Sequence, residues 1–229
     1  MVCDSGDTYT RVVAVHDGYC LYKSAKSIPY AGSSVTKSIR ELVIKSTGGT
    51  IPTRYSSKHE GFKTFQEDEI LRDIKHSFST RQTEDGVEDI NTVSYELPDK
   101  RTIQIQKSDI ENSLLSSEAE SIKGHTFKGL GSMITDNINS CDIDIKKELY
   151  SNILLTGGNM LFGSTMQQVL GKVSELAPPN AKVKAVAMVV PQERVYSGWI
   201  GGSIVTSLSS FQSYWVGKEE WKEHGIAIV

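Results

Sequence analysis

The sequence offers little to chemistry that depends on paired thiols, on a basic surface or on a long apolar run. Its three cysteines, Cys3, Cys20 and Cys141, are widely spaced and form no Cys-x-x-Cys pair. That excludes a disulfide framework and a thiolate zinc site, and it fits a reducing compartment. Lysine and arginine number 25 against 28 acidic residues, a net charge of -3, so the concentrated basic face of duplex recognition is lacking and no direct nucleic-acid partner is expected. No apolar run reaches the length of a membrane span, and the opening MVCDSGD has neither the basic nor the apolar region of a signal peptide. No membrane contact is expected. The histidines, His16, His59, His76, His125 and His224, are scattered without zinc-ligand spacing. There is no Gly-x-Ser-x-Gly and no histidine with an evident acid partner, so a nucleophilic triad has no support. Trp199, Trp215 and Trp221 lack interleaved basic residues and read as packing anchors.

What is present is ordinary globular composition, 38% hydrophobic and 23% charged over 229 residues, enough to bury a core in one large domain or two small ones. From Thr10 to Tyr22, TRVVAVHDGYCLY predicts two strands joined at Asp17 and Gly18, because Asp-Gly suits a hairpin turn with positive φ. Ser33 to Lys45 places Val35, Ile39, Leu42 and Val43 on one side of a helix with a serine available as N-cap. Glu67 to Phe78 predicts a second helix with acids in its first turn and Ile70, Leu71, Ile74 and Phe78 facing inward. A polar loop is expected from Ser79 to Thr92, then a hairpin turning at Pro98 and Asp99, then a mobile surface segment from Ser108 to Gly124. Beyond it the pattern predicts two helical pieces, a buried strand at NILLTGG leading into a helix that ends near Leu176, and a strand at AKVKAVAMVV. Terminal helices are expected from Ser197 to Val216 and from Lys218 to Gly225.

Two glycine-bearing turns carry the chemical interest. At Gly157 and Gly158 a strand ends before a helix, which lets backbone approach a ligand closely and turns the first helical amides and the positive dipole end towards it. Such geometry suits a nucleotide, yet alone a Gly-Gly strand end is more often a plain tight turn. DSGDTYT, from Asp4 to Thr10, could offer amides to phosphates and a carboxylate to the water shell of magnesium. On spacing alone the favoured reading is a hairpin turn in which Asp4 and Asp7 bond their own backbone. Arg72 and Lys75 could flank a purine or its ribose, but charges opposite an apolar helix face are usually just solvated.

LLTGG, SELAPP and YSGWIGGSIVTSLSSFQSYWVGKEEWKEHG together resemble the C-terminal half of actins and actin-related proteins. DSGDTYTRVVAVHDGY looks like the Asp-x-Gly turn and hairpin of the same family, and Ala31-Gly32 and LRDIK (Leu71 to Lys75) fall in the expected order. HDGY, GGN and CDIDI are most similar to nuclear actin-related proteins of chromatin-remodelling and histone-acetyltransferase complexes. The resemblance implies an α/β, ribonuclease-H-like half of the actin fold, a mixed sheet with helices formed by residues 1–29 and 124–195. It also implies an inserted smaller α/β subdomain over 30–123, and a helical segment over 196–229 that packs in the family on the N-terminal domain. It implies ATP with magnesium: Asp4, Gly6 and Asp7 at the phosphates, with Asp4 near the metal through water; Gly32, Arg72 and Lys75 at the ribose and adenine; and Gly157, Gly158, Asn159, Leu161 and Phe162 on the other side of the nucleoside.

Several positions depart from that pattern. Arg11 stands where actin has the histidine that helps to place the attacking water, His76 replaces a ribose-side glutamate, Val195 a lysine covering the adenine, and Gly163 a turn proline. The family's first phosphate loop is not in the sequence, and the chain is expected to be a fragment, a shortened product or half of an assembly. The implied role is non-catalytic: a subunit or platform for other actin-family or chromatin-complex proteins, in the nucleus or cytoplasm, that self-associates through exposed C-terminal helices bearing Trp199, Ile200, Leu208, Phe211 and Trp215. A filament-forming ATP-binding protein is the first alternative. A sugar kinase or chaperone ATPase is the second, disfavoured by WIGGS and SLSSFQ.

Overall fold

The computed structural model describes residues 1–78, 82–83, 86–87, 92–106, 108–110, 127–163 and 165–228. The N-terminal part supplies β1 (Val2–Ser5), β2 (Thr10–Val13), β3 (Val15–His16), β4 (Tyr19–Cys20) and β5 (Lys26–Ile28), followed by α1 (Gly32–Thr47) and α2 (Glu60–Ser77). Two short antiparallel pairs come next, β6 (Gln82–Thr83) with β7 (Gly86–Val87), and β8 (Thr92–Glu96) with β9 (Thr102–Gln106). The C-terminal part contains α3 (Leu130–Asn139), α4 (Ile143–Ser151), β10 (Ile153–Thr156), α5 (Thr165–Leu176), β11 (Ala185–Val186), α6 (Pro191–Ser207) and α7 (Lys218–His224).

The main sheet has the order β11-β10-β1-β2-β5, with β1 parallel to β10, β10 parallel to β11, and the other two pairings antiparallel. The architecture is therefore α/β with a mixed sheet, as expected for an actin-fold half. Alternation in the strands sends Cys3, Val12, Ile153 and Leu155 into a core closed by Leu130, Ile134 and Ile138 of α3 and Val169 and Val173 of α5. Burial pushes the Cys3 thiol up to about 12, with the nearby Asp4 carboxylate adding to the rise. Asn137, fully buried on α3, donates to the carbonyls of Val12 (3.4 Å) and Ser24, tying the helix to the sheet. A second core joins Val35, Ile39 and Val43 of α1 with Leu71 and Ile74 of α2 and Ile103 and Ile105 of β9. Phe162 enters it from the C-terminal part of the chain.

The predicted hairpins form. Asp17 (φ 48°) and Gly18 (φ 81°) make the first turn, and the second turns at Pro98 and Asp99 with Lys100 at φ 68°. Other expectations need correction. No serine side chain caps α1; its N-cap is Ala31, and the first helical amides bond backbone instead, Gly32 to Gly6 O (3.0 Å) and Ser33 to Asp7 O (2.7 Å). The α2 helix starts at Glu60 rather than Glu67, so Glu67 and Asp68 lie mid-helix and bind Arg40 of α1 at 2.6 and 2.9 Å instead of serving the dipole. At AKVKAVAMVV only Ala185–Val186 pairs with β10, and the Met188 carbonyl accepts from the Arg194 guanidinium (2.8 and 2.6 Å) rather than from a strand. A 3-10 turn, Gly158–Leu161, separates β10 from α5. Pro191, whose fixed φ suits the first helical position, starts α6 before Ser197, and α6 ends at Ser207, ahead of a 3-10 stretch over Ser209–Tyr214. The polar loop from Ser79 to Thr92 lies outside the described residues apart from β6, β7 and Thr92. Of the segment from Ser108 to Gly124, only 108–110 are described, and there Ile110 is fully buried rather than at the surface. Among the described residues no helix is long and apolar enough to cross a membrane.

Candidate functional site

β1 and β10 lie side by side and parallel, with Asp4 opposite Thr156, so both chains leave the sheet at the same edge. One continues to β2 on one side and the other towards β11 on the opposite side. Such a divergence at the carboxyl ends of adjacent parallel strands opens a crevice, the usual ligand position in open α/β sheets. The first wall is the turn from Ser5 to Tyr9, closed by Gly6 N donating to Tyr9 O (3.2 Å). The second is Gly157 and the 3-10 turn behind it, whose first amides, at Gly158 and Asn159, have no acceptor within the turn.

Asn159 holds the two walls together, its Nδ2 donating to Ser5 Oγ (2.9 Å) and Gly6 O (2.8 Å). Gly157 has φ 96° and ψ 165°, and a Cβ there would collide with the Ser5 carbonyl and stand 2.8 Å from Asp4 Oδ1. Only glycine fits. At Gly32 a Cβ would lie 3.1 Å from Asn159 Oδ1 and 3.2 Å from both Asp7 Oδ1 and Gly6 O, so the N-terminus of α1 is drawn against the same turn. Lys75 on α2, only 8% exposed, donates to Asp7 Oδ1 (3.2 Å) and Gly32 O (3.1 Å). Arg194 braces the outer side: its carbonyl accepts from Gly157 N (3.2 Å) and Thr156 Oγ1 (2.8 Å), and its guanidinium donates to Met160 O (2.7 Å). Burial pulls the Arg194 pKa down from its ordinary value.

These elements enclose a cavity of about 610 Å³, within the range of roughly 300–1,000 Å³ common for ligand pockets. Asp4, Gly6 and Asp7 line it from one turn, and Gly157, Gly158, Asn159, Leu161 and Phe162 from the other. Gly32 and Lys75 complete the set, while His76 and Val195, singled out in the sequence only as departures, are also on the wall. Arg72 is not. It is exposed, pairs with Glu69 at 2.9 Å, and faces an adjoining hollow of about 250 Å³ that shares Asp7 and Lys75 with the main cavity. Arg194 went unnoticed in the sequence because its role rests on backbone carbonyls, which leave no pattern in the residue types. Among the described residues no three His, Cys, Asp or Glu side chains are grouped to hold a metal ion.

The family model described as Actin matches residues 1–229. The chain belongs to the actin family. Among its relatives is "Actin-related protein 4" of Oryza sativa subsp. indica, 35% identical over 262 aligned positions that cover 100% of this chain and 59% of the relative. The protein of the same name from Arabidopsis thaliana is 34% identical over 267 positions, covering 100% of this chain and 59% of its own length. The chain thus spans about 59% of the length of these relatives. Membership adds to the geometry that the crevice between two glycine turns lies in an actin-type fold.

Proposed function

We propose that this chain forms part of an actin-related protein that holds ATP with magnesium in the crevice and serves as a scaffold for protein partners rather than as an enzyme. The observation that carries the reading is the convergence of Gly6, Asp7, Gly157 and Gly158 on one cavity large enough for a nucleotide. Gly6 and Asp7 would meet the phosphates, Asp4 would reach magnesium through its water shell, and Gly32, Lys75, Asn159, Leu161 and Phe162 would hold the nucleoside. The close fit at Gly32 and Gly157 suits the approach of a ligand to bare backbone. Magnesium, if bound there, would offset phosphate charge that Asp4 and Asp7 would otherwise repel.

The absence of turnover is supported by Arg11, whose guanidinium lies 5.4 Å from the centre of the Tyr9 ring, a cation–π contact that directs it to an aromatic neighbour. The scaffold role is supported by α6, which buries none of its residues in the described chain; Trp199 is 77% exposed, and Leu208 and Trp215 are exposed beyond it. An apolar patch of this kind marks a surface for protein. The partners in this reading are other actin-family subunits or members of a nuclear chromatin-remodelling or histone-modifying complex, or a second copy of the isolated chain, and the compartment is nucleus or cytoplasm.

Thermal unfolding with and without MgATP, run beside a phosphate-release assay, tests the proposal. A ligand at about 100 times its Kd stabilises by roughly 2.7 kcal/mol, which for a chain of this size raises Tm by about 5–11 °C. A raised midpoint without phosphate release is expected. An unchanged midpoint in both MgATP and MgADP overturns nucleotide binding, and phosphate release accompanied by pelletable filaments overturns the scaffold role.

A further inference from the structure

Helix α6 has little of its own to keep it ordered. Gly198, Gly201 and Gly202 lie within it, and glycine weakens a helix interior more than any residue but proline. A Cβ at any of the three would meet nothing within 4 Å, so close packing does not explain them. None of the helix is buried, and beyond Ser197 its side-chain hydrogen bonds among the described residues stay within the helix. Most helical stability in proteins comes from a packed face. Lacking one here, α6 depends on the end that is anchored.

That end is fastened to the crevice. The Arg194 carbonyl accepts from Gly157 N (3.2 Å) and from the Thr156 hydroxyl (2.8 Å), which also bonds the Ser197 hydroxyl. The Arg194 guanidinium reaches two further carbonyls. Its Nη1 donates to Met160 O (2.7 Å) in the 3-10 turn, and its Nε and Nη2 donate to Met188 O (2.8 and 2.6 Å) in the connector leading into the helix. No carboxylate pairs with it among the described residues, so the whole fork is spent on backbone. One residue on, Val195 lines the cavity itself, and no residue after it does.

We propose that Arg194 is a positioning residue that joins the glycine turn at 157–161 to the start of α6, so that a ligand in the crevice orders the exposed helix. The inference rests on the nucleotide reading of the crevice. A ligand seated against Gly158 and Val195 restrains the turn, and the guanidinium carries that restraint through Met160 and Met188 to the helix. A glycine-rich, unburied helix belongs to the low-stability end of a structure and responds by opening less often. By linkage, a protein that orders α6 tightens the crevice by the same factor.

Hydrogen–deuterium exchange of the full chain, read by mass spectrometry with and without saturating MgATP, tests the coupling. In the parent, MgATP is expected to slow exchange at residues 157–161 and also, by about fivefold or more, at residues 198–207, which line no part of the cavity. Arg194→Met should abolish the slowing at 198–207 and retain that at 157–161, because the carbonyl of residue 194 is still there. Arg194→Lys keeps the charge but not the fork, and should fall between the two. Should Arg194→Met fail to fold by circular dichroism, the lysine variant decides alone: slowing at 198–207 as large as the parent's overturns the proposal. Slowing confined to 157–161 in the parent, or slowing at 198–207 that survives Arg194→Met, overturns the coupling and leaves the nucleotide reading standing. No slowing at either place overturns the nucleotide reading and this proposal with it.

Discussion

Replacing Gly157 by alanine tests the joint between the two turns more severely than any other single change. Its backbone, at φ 96° and ψ 165°, lies in a region that residues with a Cβ avoid, at a cost of about 1–3 kcal/mol. The added methyl would also run into the Ser5 carbonyl and approach Asp4 Oδ1 to 2.8 Å. Both neighbours belong to the central strand of the sheet and cannot retreat without disturbing the parallel pairing of Asp4 with Thr156. Overpacking of that kind adds about 1–3 kcal/mol, so a central figure for Gly157→Ala is about 4 kcal/mol, a large share of the roughly 5–15 kcal/mol that holds a domain together. At about 2–4 °C per kcal/mol for this size, Tm should fall by roughly 8–16 °C. Gly158 supplies the control: its φ is not positive and a Cβ there meets nothing within 4 Å, so Gly158→Ala should be neutral or stabilise by up to about 1 kcal/mol. Urea and thermal unfolding of the two variants, side by side, decide the matter. Equal effects, or a Gly157→Ala midpoint within about 2 °C of the parent, would refute the claim that the strand end is closed by contact with β1.

Two further outcomes follow from buried groups. Asn159→Leu keeps most of the volume but removes the amide that bonds Ser5 Oγ and Gly6 O, and the urea midpoint should report a loss of about 1–3 kcal/mol; no loss would mean the turns do not need this tie. Cys3, buried and held neutral by a pKa of about 12, should resist iodoacetamide at pH 8 while the half-buried Cys20 and Cys141 react, as read by mass spectrometry of the folded chain. Because its folded pKa is raised above the ordinary value of 9.0, its contribution to stability is complete below that pH and declines as pH rises towards 12.

Much of the fold was legible because apolar spacing and turn chemistry act locally. Val35, Ile39 and Val43 announce α1, Asp17-Gly18 announces a hairpin, and ILLTGG announces a buried strand with a glycine exit. The corrections arise where a distant part of the chain supplies what local pattern had been credited with. The N-terminal amides of α1 are satisfied by carbonyls of the β1–β2 turn, so the available serine is not needed as a cap. Glu67 and Asp68 look like first-turn acids, but their partner is Arg40 on another helix. Ten of the eleven residues expected at the site line one cavity, and the exception, Arg72, shares a helix with Lys75 but differs in direction. Three positions along a helix turn a side chain away by about 60°, and a pattern of charges cannot tell which of the two faces inward.

The pairing of β1 with β10 also sets an order of events during synthesis. Val2 finds its parallel partner only at Leu154, so on a ribosome adding about 5–20 residues per second the first strand waits roughly 8–30 s for it. Meanwhile the helices and hairpin between them can pack most of their own core from residues already made, with Phe162 joining it later. The crevice therefore cannot close before β10 has been made, although β1 has its antiparallel partner β2 long before then.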